Sequence, residues 1–130
     1  MLALSGCGTT PVPTSMTMHV ASEHIITPRS AYWFENGIPI TIKRDSGFKG
    51  GSGRITFLIN NMAIAELQTS ERIDLQLPPG DYIFGVVSSW NPFNAAPTER
   101  AVTVRPGGIT TYRIYFPPGD ATVQIDGTSQ

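Results

Sequence analysis

Side-chain polarity in the second half of this chain flips at nearly every residue, and a chain with that rhythm can settle only as strands. Ile73, Leu75 and Leu77 alternate with Arg72, Asp74 and Gln76. Successive side chains of a strand point to opposite faces, so this stretch has one apolar face and one wet face. The same period governs Ile38, Ile40 and Ile42 against Pro39, Thr41 and Lys43. It governs Ile55, Phe57 and Ile59, then Val102 and Val104, then Tyr112, Ile114 and Phe116, and finally Val123 and Ile125. No segment carries a competing helical period, and residues 82–88 are so uniformly apolar that a central strand covered on both faces is expected there.

Turn chemistry divides these runs. Asn36-Gly37 and Asn60-Asn61 suit positive φ, as tight hairpin turns require. Pro78-Pro79-Gly80-Asp81 and Pro117-Pro118-Gly119-Asp120 offer proline at the second position and glycine at the third, the pattern of a type II turn. Pro106-Gly107-Gly108 supplies another break, and residues 46–53 form a glycine-rich loop. Gly (13) and Pro (11) are abundant while charged residues are only 15% of the 130, a composition of short strands and tight turns. The expected fold is all-β: a single seven- to eight-stranded antiparallel β-sandwich over residues 30–127, following a flexible N-terminal tether. The repeated Pro-Pro-Gly-Asp is read as two hairpins that use the same turn, since two copies make no repeat architecture.

Charge excludes one class of function. A net charge of -1 with nine Lys and Arg leaves no basic stripe, so the electrostatic term of nucleic-acid binding is missing. Lys43, Arg44 and Asp45 form the nearest thing to a charge cluster and read as the solvated end of a strand.

The single cysteine points elsewhere. Leu4-Ser5-Gly6-Cys7 matches the bacterial lipobox, in which small residues precede a cysteine that becomes acylated. Six residues precede Cys7, with neither Lys nor Arg among them, so 1–6 reads as the remnant of a signal peptide whose start lies upstream. Residues 7–29 then read as the lipidated cysteine and its linker, with Pro11 and Pro13 among small polar residues. Within it, 16–28 is open between further linker and a first edge strand. Acylation at Cys7 implies a membrane partner through the lipid, and a place in the bacterial cell envelope on the outer membrane facing the periplasm.

From Ile38 onward, Ile40-Thr41-Ile42-Lys43-Arg44-Asp45, Gly50-Gly51-Ser52-Gly53, the 55–67 hairpin and Leu75-Gln76-Leu77-Pro78-Pro79-Gly80-Asp81-Tyr82 follow an order that resembles small bacterial lipoproteins of unknown function. The last segment is similar to the PEGA-type surface β-domain, without its name-giving motif. The resemblance implies an Ig-like or transthyretin-like sandwich on an envelope lipoprotein, and it brings no active site.

No grouping in the sequence has the spacing of a catalytic motif. His19 and His24 stand five apart with Glu23 between them, whereas a metalloprotease helix needs four, and Pro28 follows closely; they read as solvated linker residues, with no metal. In 50–54 Arg54 occupies the position where a nucleophile elbow needs glycine, and no P-loop sequence follows. The carboxylates are scattered and no cofactor is implied. The candidate binding loop is Trp90-Asn91-Pro92-Phe93-Asn94, whose Trp90, Asn91, Phe93 and Asn94 put two large aromatics among turn residues. Tyr32-Trp33-Phe34 reads as core packing. The chain is therefore expected to be a non-enzymatic, membrane-anchored envelope lipoprotein whose sandwich binds another envelope protein. The alternative is a carbohydrate- or peptidoglycan-binding module using the aromatics of that loop.

Overall fold

The structure, a computed structural model, describes residues 8–47, 53–88, 96–119 and 122–129. Among them are nine strands: β1 (Met18–His19), β2 (Ile38–Arg44), β3 (Ile55–Ile59), β4 (Met62–Leu67), β5 (Glu71–Leu77), β6 (Gly80–Ser88), β7 (Thr98–Val104), β8 (Thr111–Tyr115) and β9 (Gln124–Thr128). They form two sheets, ordered β1-β5-β2-β8-β9 and β4-β3-β6-β7. Helical structure among the described residues is limited to three 3₁₀ turns of three residues each in the N-terminal third. The all-β reading holds, with nine strands in place of seven or eight.

The alternation decides which faces are buried. Ile73, Leu75 and Leu77 are at most 4% exposed while their neighbours are only half-buried, so β5 keeps its expected apolar face. Ile40, Ile42, Tyr112, Ile114 and Ile125 join it from the same sheet. Ile55, Phe57, Ile64, Leu67, Phe84, Val86, Val102 and Val104 come from the other, and all belong to one buried cluster. Phe84 stands edge-on to Phe57 at 5.3 Å and to Tyr112 of the other sheet at 5.1 Å. In β6 the expectation of two covered faces is corrected. Although β3 and β7 flank it, Ile83 is 37% exposed, because the outer face of its sheet meets solvent.

The antiparallel expectation is corrected as well. β2 pairs antiparallel with β5 but parallel with β8, from Thr41 beside Thr111 to Arg44 beside Ile114, and β1 runs parallel to β5. A parallel pair needs a long crossover, usually a helix. Here the whole of the second sheet lies between β2 and β8 in sequence and provides it.

Turn residues behave as their chemistry dictates, though not always in the setting expected. Asn60 and Asn61 adopt φ of 49° and 66° in the β3–β4 hairpin. The two Pro-Pro-Gly-Asp sequences diverge. The second joins the paired strands β8 and β9, with Gly119 at φ 74°. The first carries the chain from β5 to β6, which lie in different sheets, and Gly80 there is nearly extended at φ 158°. One lies between paired strands and the other is a corner between sheets.

Residues 8–34 correct the tether. They form a strap packed on the sheets. Thr9 N–H donates to Phe116 O (3.1 Å), and Thr10 and Ser46 exchange two backbone hydrogen bonds. Met18 and Val20 N–H bond to Ser70 and Arg72 beside β5 (both 2.9 Å). Ile26 N–H then reaches Ile64 O of β4 at 2.8 Å. The strap therefore starts over β8 and β2, passes the β5 edge, touches the edge of the second sheet at β4 and returns to β5, where residues 32–34 bond to Gln76. Of the two alternatives for 16–28, the edge strand is realised as β1.

Leu75→Ala is expected to destabilise the protein by about 2–5 kcal/mol, as loss of a fully buried side chain leaves a cavity. Ile83→Ala, on the solvent side of β6, should cost about 1 kcal/mol or less. Urea unfolding of the two variants checks the inside–outside assignment, and equal effects contradict it.

Candidate functional site

The end of β2 is where the strap is fastened. Lys43, Arg44 and Asp45 are each only 2% exposed, which corrects their reading as a solvated strand end. Arg44 shares the parity of Ile40 and Ile42, so it points between the sheets, where its Nη1 donates to Gly53 O (2.9 Å) and Leu67 O (2.8 Å). Burial pushes its guanidinium down to about 10, opposed by Glu71, so at neutral pH it remains charged. Lys43 and Asp45 point to the other face, beneath the strap. Lys43 Nζ donates to Val12 O at 2.6 Å; burial lowers its pKa and Asp45 partly restores it. Asp45 accepts two hydrogen bonds from Arg113 (2.8 and 2.7 Å) and one from Thr9 Oγ1 (2.8 Å).

The polar face continues outward from there. Arg113 lies 4.3 Å over the Tyr115 ring, and Tyr115 donates its hydroxyl proton to Asp126. Arg100, from β7 of the other sheet, completes the row by pairing with Asp126 and joins the two sheets on that side. The Asp126 hydrogen bond and then burial raise the Tyr115 pKa.

On the opposite side the strap and β5 enclose an open cleft of about 260 Å³, lined by His19, Val20, Ile25, Arg29, Tyr32, Trp33, Arg72, Ile73 and Asp74. Arg72 organises its floor. Nη1 donates to Thr17 O and Thr17 Oγ1 (both 2.9 Å) and Nη2 donates to His19 Nε2 (2.9 Å). With Nε2 accepting, the His19 ring proton sits on Nδ1, 3.6 Å from Asp74 Oδ2. Arg29 caps the Trp33 indole at 4.0 Å, a cation–π contact. Backbone bonds between 32–34 and Gln76 hold this wall: Gln76 N–H donates to Tyr32 O (2.9 Å), and Phe34 N–H donates to Gln76 O (2.8 Å). Gly37 is needed close by, because a Cβ there would come within 2.9 Å of the Gln76 and Leu77 backbone.

Tyr32-Trp33-Phe34 was expected to pack in the core. Tyr32 does so, at 2% exposure. Trp33 (36%) and Phe34 (42%) face outward, and with Met16, Met18 and Ile26 the strap carries five of the eight exposed large apolar side chains of the described residues. His19, read as a solvated linker residue, belongs to the cleft. Among the described residues no group of three or more His, Cys, Asp or Glu side chains could hold a metal ion, and no helix is long and apolar enough to cross a membrane. Cys7 and the loop residues Trp90, Asn91, Phe93 and Asn94 lie outside the described residues. Sequence reasoning missed the cleft because its walls come from positions some fifty residues apart; an outward Arg72 and Asp74 on a strand carry no local signal of what will cover them.

No family model matches the chain, and neither the curated proteins nor the solved structures contain a match.

Asp45→Ala is expected to cost about 2–4 kcal/mol, because it leaves the Arg113 guanidinium half-desolvated without its acceptor. Amide exchange at Thr9 and Thr10 should accelerate in this variant ahead of exchange in β5; uniform acceleration would show that Asp45 does not fasten the strap. A second outcome concerns pH. All four tyrosines have hydroxyls raised above the ordinary 10.0, Tyr115 by its Asp126 hydrogen bond first and Tyr32, Tyr82 and Tyr112 by burial first. Above pH 10 the unfolded chain releases these protons while the folded chain retains them, so the folded state binds more protons and stability falls as pH rises. Below pH 10 the contribution is complete. Phenolate absorbance should show no tyrosine titrating at 10 until the protein unfolds.

Proposed function

We propose that this chain is a non-enzymatic binding module of the bacterial envelope, anchored by acyl groups on Cys7, whose strap is the surface that receives another envelope protein. In this reading the two sheets pack face to face as a β-sandwich of the Ig-like or transthyretin-like kind. The single buried cluster and the Phe84–Tyr112 contact between sheets support it. The anchor rests on Leu4-Ser5-Gly6-Cys7.

The observation that carries the docking surface is the combination of order and exposure in the strap. Its backbone is bonded to both sheets, so presenting its side chains costs little conformational entropy on binding. Yet it exposes Met16, Met18, Ile26, Trp33 and Phe34, with Arg29 stacked on the indole. Aromatic residues, Met and Arg are the types enriched at the centres of protein interfaces, and an isolated domain gains nothing from leaving so many apolar side chains wet. A lipid on Cys7 would also hold the domain close to the bilayer. Thr9 is pinned to Phe116, and the two peptide units between Cys7 and Thr9 reach at most about 7 Å. The partner then lies at the same membrane surface.

A photo-crosslinking amino acid at Phe34 in the full-length protein should give a discrete protein adduct in the envelope fraction, reduced at least about fivefold by Trp33→Ala, a loss of about 1 kcal/mol. Labelled palmitate should enter the chain and fail to enter Cys7→Ala. Adducts unaffected by Trp33→Ala would remove the strap as the surface, and equal labelling of both chains would remove the anchor.

A further inference from the structure

We infer that β7 is a self-pairing edge, through which two copies of this chain join their four-stranded sheets into one continuous eight-stranded sheet. This inference is independent of the strap, which lies on the other side of the molecule, and of the lipid.

Hydrogen-bond parity shows which groups the edge offers. Asn60 N–H donates to Ile83 O (2.7 Å), and Ile83 N–H donates to Asn60 Oδ1 (2.9 Å), so both backbone groups of Ile83 face β3. Its neighbours Tyr82 and Phe84 therefore face β7, opposite Val102 and Arg100. It follows that Val102 and Arg100 spend their backbone groups on β6, while those of Glu99, Ala101 and Thr103 point away from the sheet. β7 ends its sheet, pairing with β6 alone, and among the described residues no backbone N–H or C=O of another segment is bonded to those groups. An open groove of about 410 Å³ runs beside the strand, lined in part by Arg100, Val102, Arg105 and Tyr112, and by Ile109, which is 54% exposed. A flat edge of this length ordinarily carries a bulge, a proline or an inward-pointing charge to prevent pairing. From Thr98 to Val104 β7 has neither proline nor a register shift, and its one inward-pointing charge, Arg100, is taken up by Asp126 of β9.

Charge selects the occupant and its register. In an antiparallel pair about a two-fold axis through Val102, Ala101 meets Thr103 of the partner subunit and Glu99 meets Arg105 of the partner subunit, twice over. Ala101 and Thr103 are among the residues whose backbone groups are available, so the register that pairs the charges also sets these two to exchange ladder bonds, while Arg105 O already accepts the Gly108 N–H. Glu99 is on the outward face, and Arg105, one residue past the strand end beside Gly108, continues that parity; opposite charges directly across an antiparallel pair are favourable. Moving the axis to Arg100 would oppose two guanidiniums, and moving it to Ala101 would leave Glu99 against Thr103 of the partner subunit.

Sedimentation of the full chain carrying Cys7→Ser, over concentrations up to about 1 mM, should show a monomer–dimer equilibrium. Ala101→Pro removes an N–H that only a partner can use, and proline is tolerated on an edge, so it should leave the thermal midpoint nearly unchanged and abolish the dimer. Glu99→Arg should weaken the dimer about tenfold or more, and the double change Glu99→Arg with Arg105→Glu should restore it. A chain that stays monomeric throughout overturns the inference. So does a dimer that Glu99→Arg leaves intact, or one that the double change fails to rescue; this pair of variants decides the matter even if Ala101→Pro does not fold.

Discussion

Burying three consecutive charged side chains at the end of a strand is costly unless each of them meets a partner, and in this protein the partners come from everything that β2 must hold in place. Arg44, aimed between the sheets, takes carbonyls that flank β3 and end β4. Asp45 takes Arg113 from β8 and Thr9 from the strap, and Lys43 takes the carbonyl of Val12. Each partner offsets part of the cost of burying these charges, so the sheets and the strap are tied together through a single strand end. The apolar cluster supplies most of the driving force, but it is non-directional; the charges specify which elements meet here.

The sides of the molecule that the strands leave open are treated differently. Between β5 and β4 the strap crosses from one sheet to the other and bonds to both edges. Between β9 and β7, among the described residues, the connection runs through the Arg100 side chain to Asp126 and Ile125 O. A side largely occupied by a bonded backbone segment offers few ladder groups to an added strand, and it can carry exposed aromatic and thioether side chains. A side closed by side chains keeps its strand edge available. The proposed protein contact on the strap and the self-pairing at β7 follow from this asymmetry, one through side chains and the other through main chain.

Much of the architecture was legible from alternation and turn chemistry. The inward residues of β2, β5, β7 and β8, the left-handed asparagines at 60 and 61, and the all-β class follow from rules local to a few residues. Strand neighbours were not legible. The same Pro-Pro-Gly-Asp lies between paired strands after β8 and makes a sheet-to-sheet corner after β5, because a glycine permits several values of φ and the strands already in place choose among them. Lys43, Arg44 and Asp45 misled for a related reason: charge predicts solvent only when no other segment comes to cover it. The cleft was hidden similarly, as His19, Trp33 and Arg72 meet only after the strap has crossed β5.

By itself, then, the sequence determined the period of the chain, and with it which side chain of each strand faces the core, since a one-residue slip would put every apolar group in water. It also determined the places where the chain can turn, and the cysteine context that suggests acylation. Only the tertiary structure decided that β2 lies parallel to β8, that residues 8–34 are a strap, and that β7 remains an open edge. Those outcomes depend on hydrogen bonds and ion pairs between residues far apart in sequence, whose energies exist only once both partners have been brought out of water together.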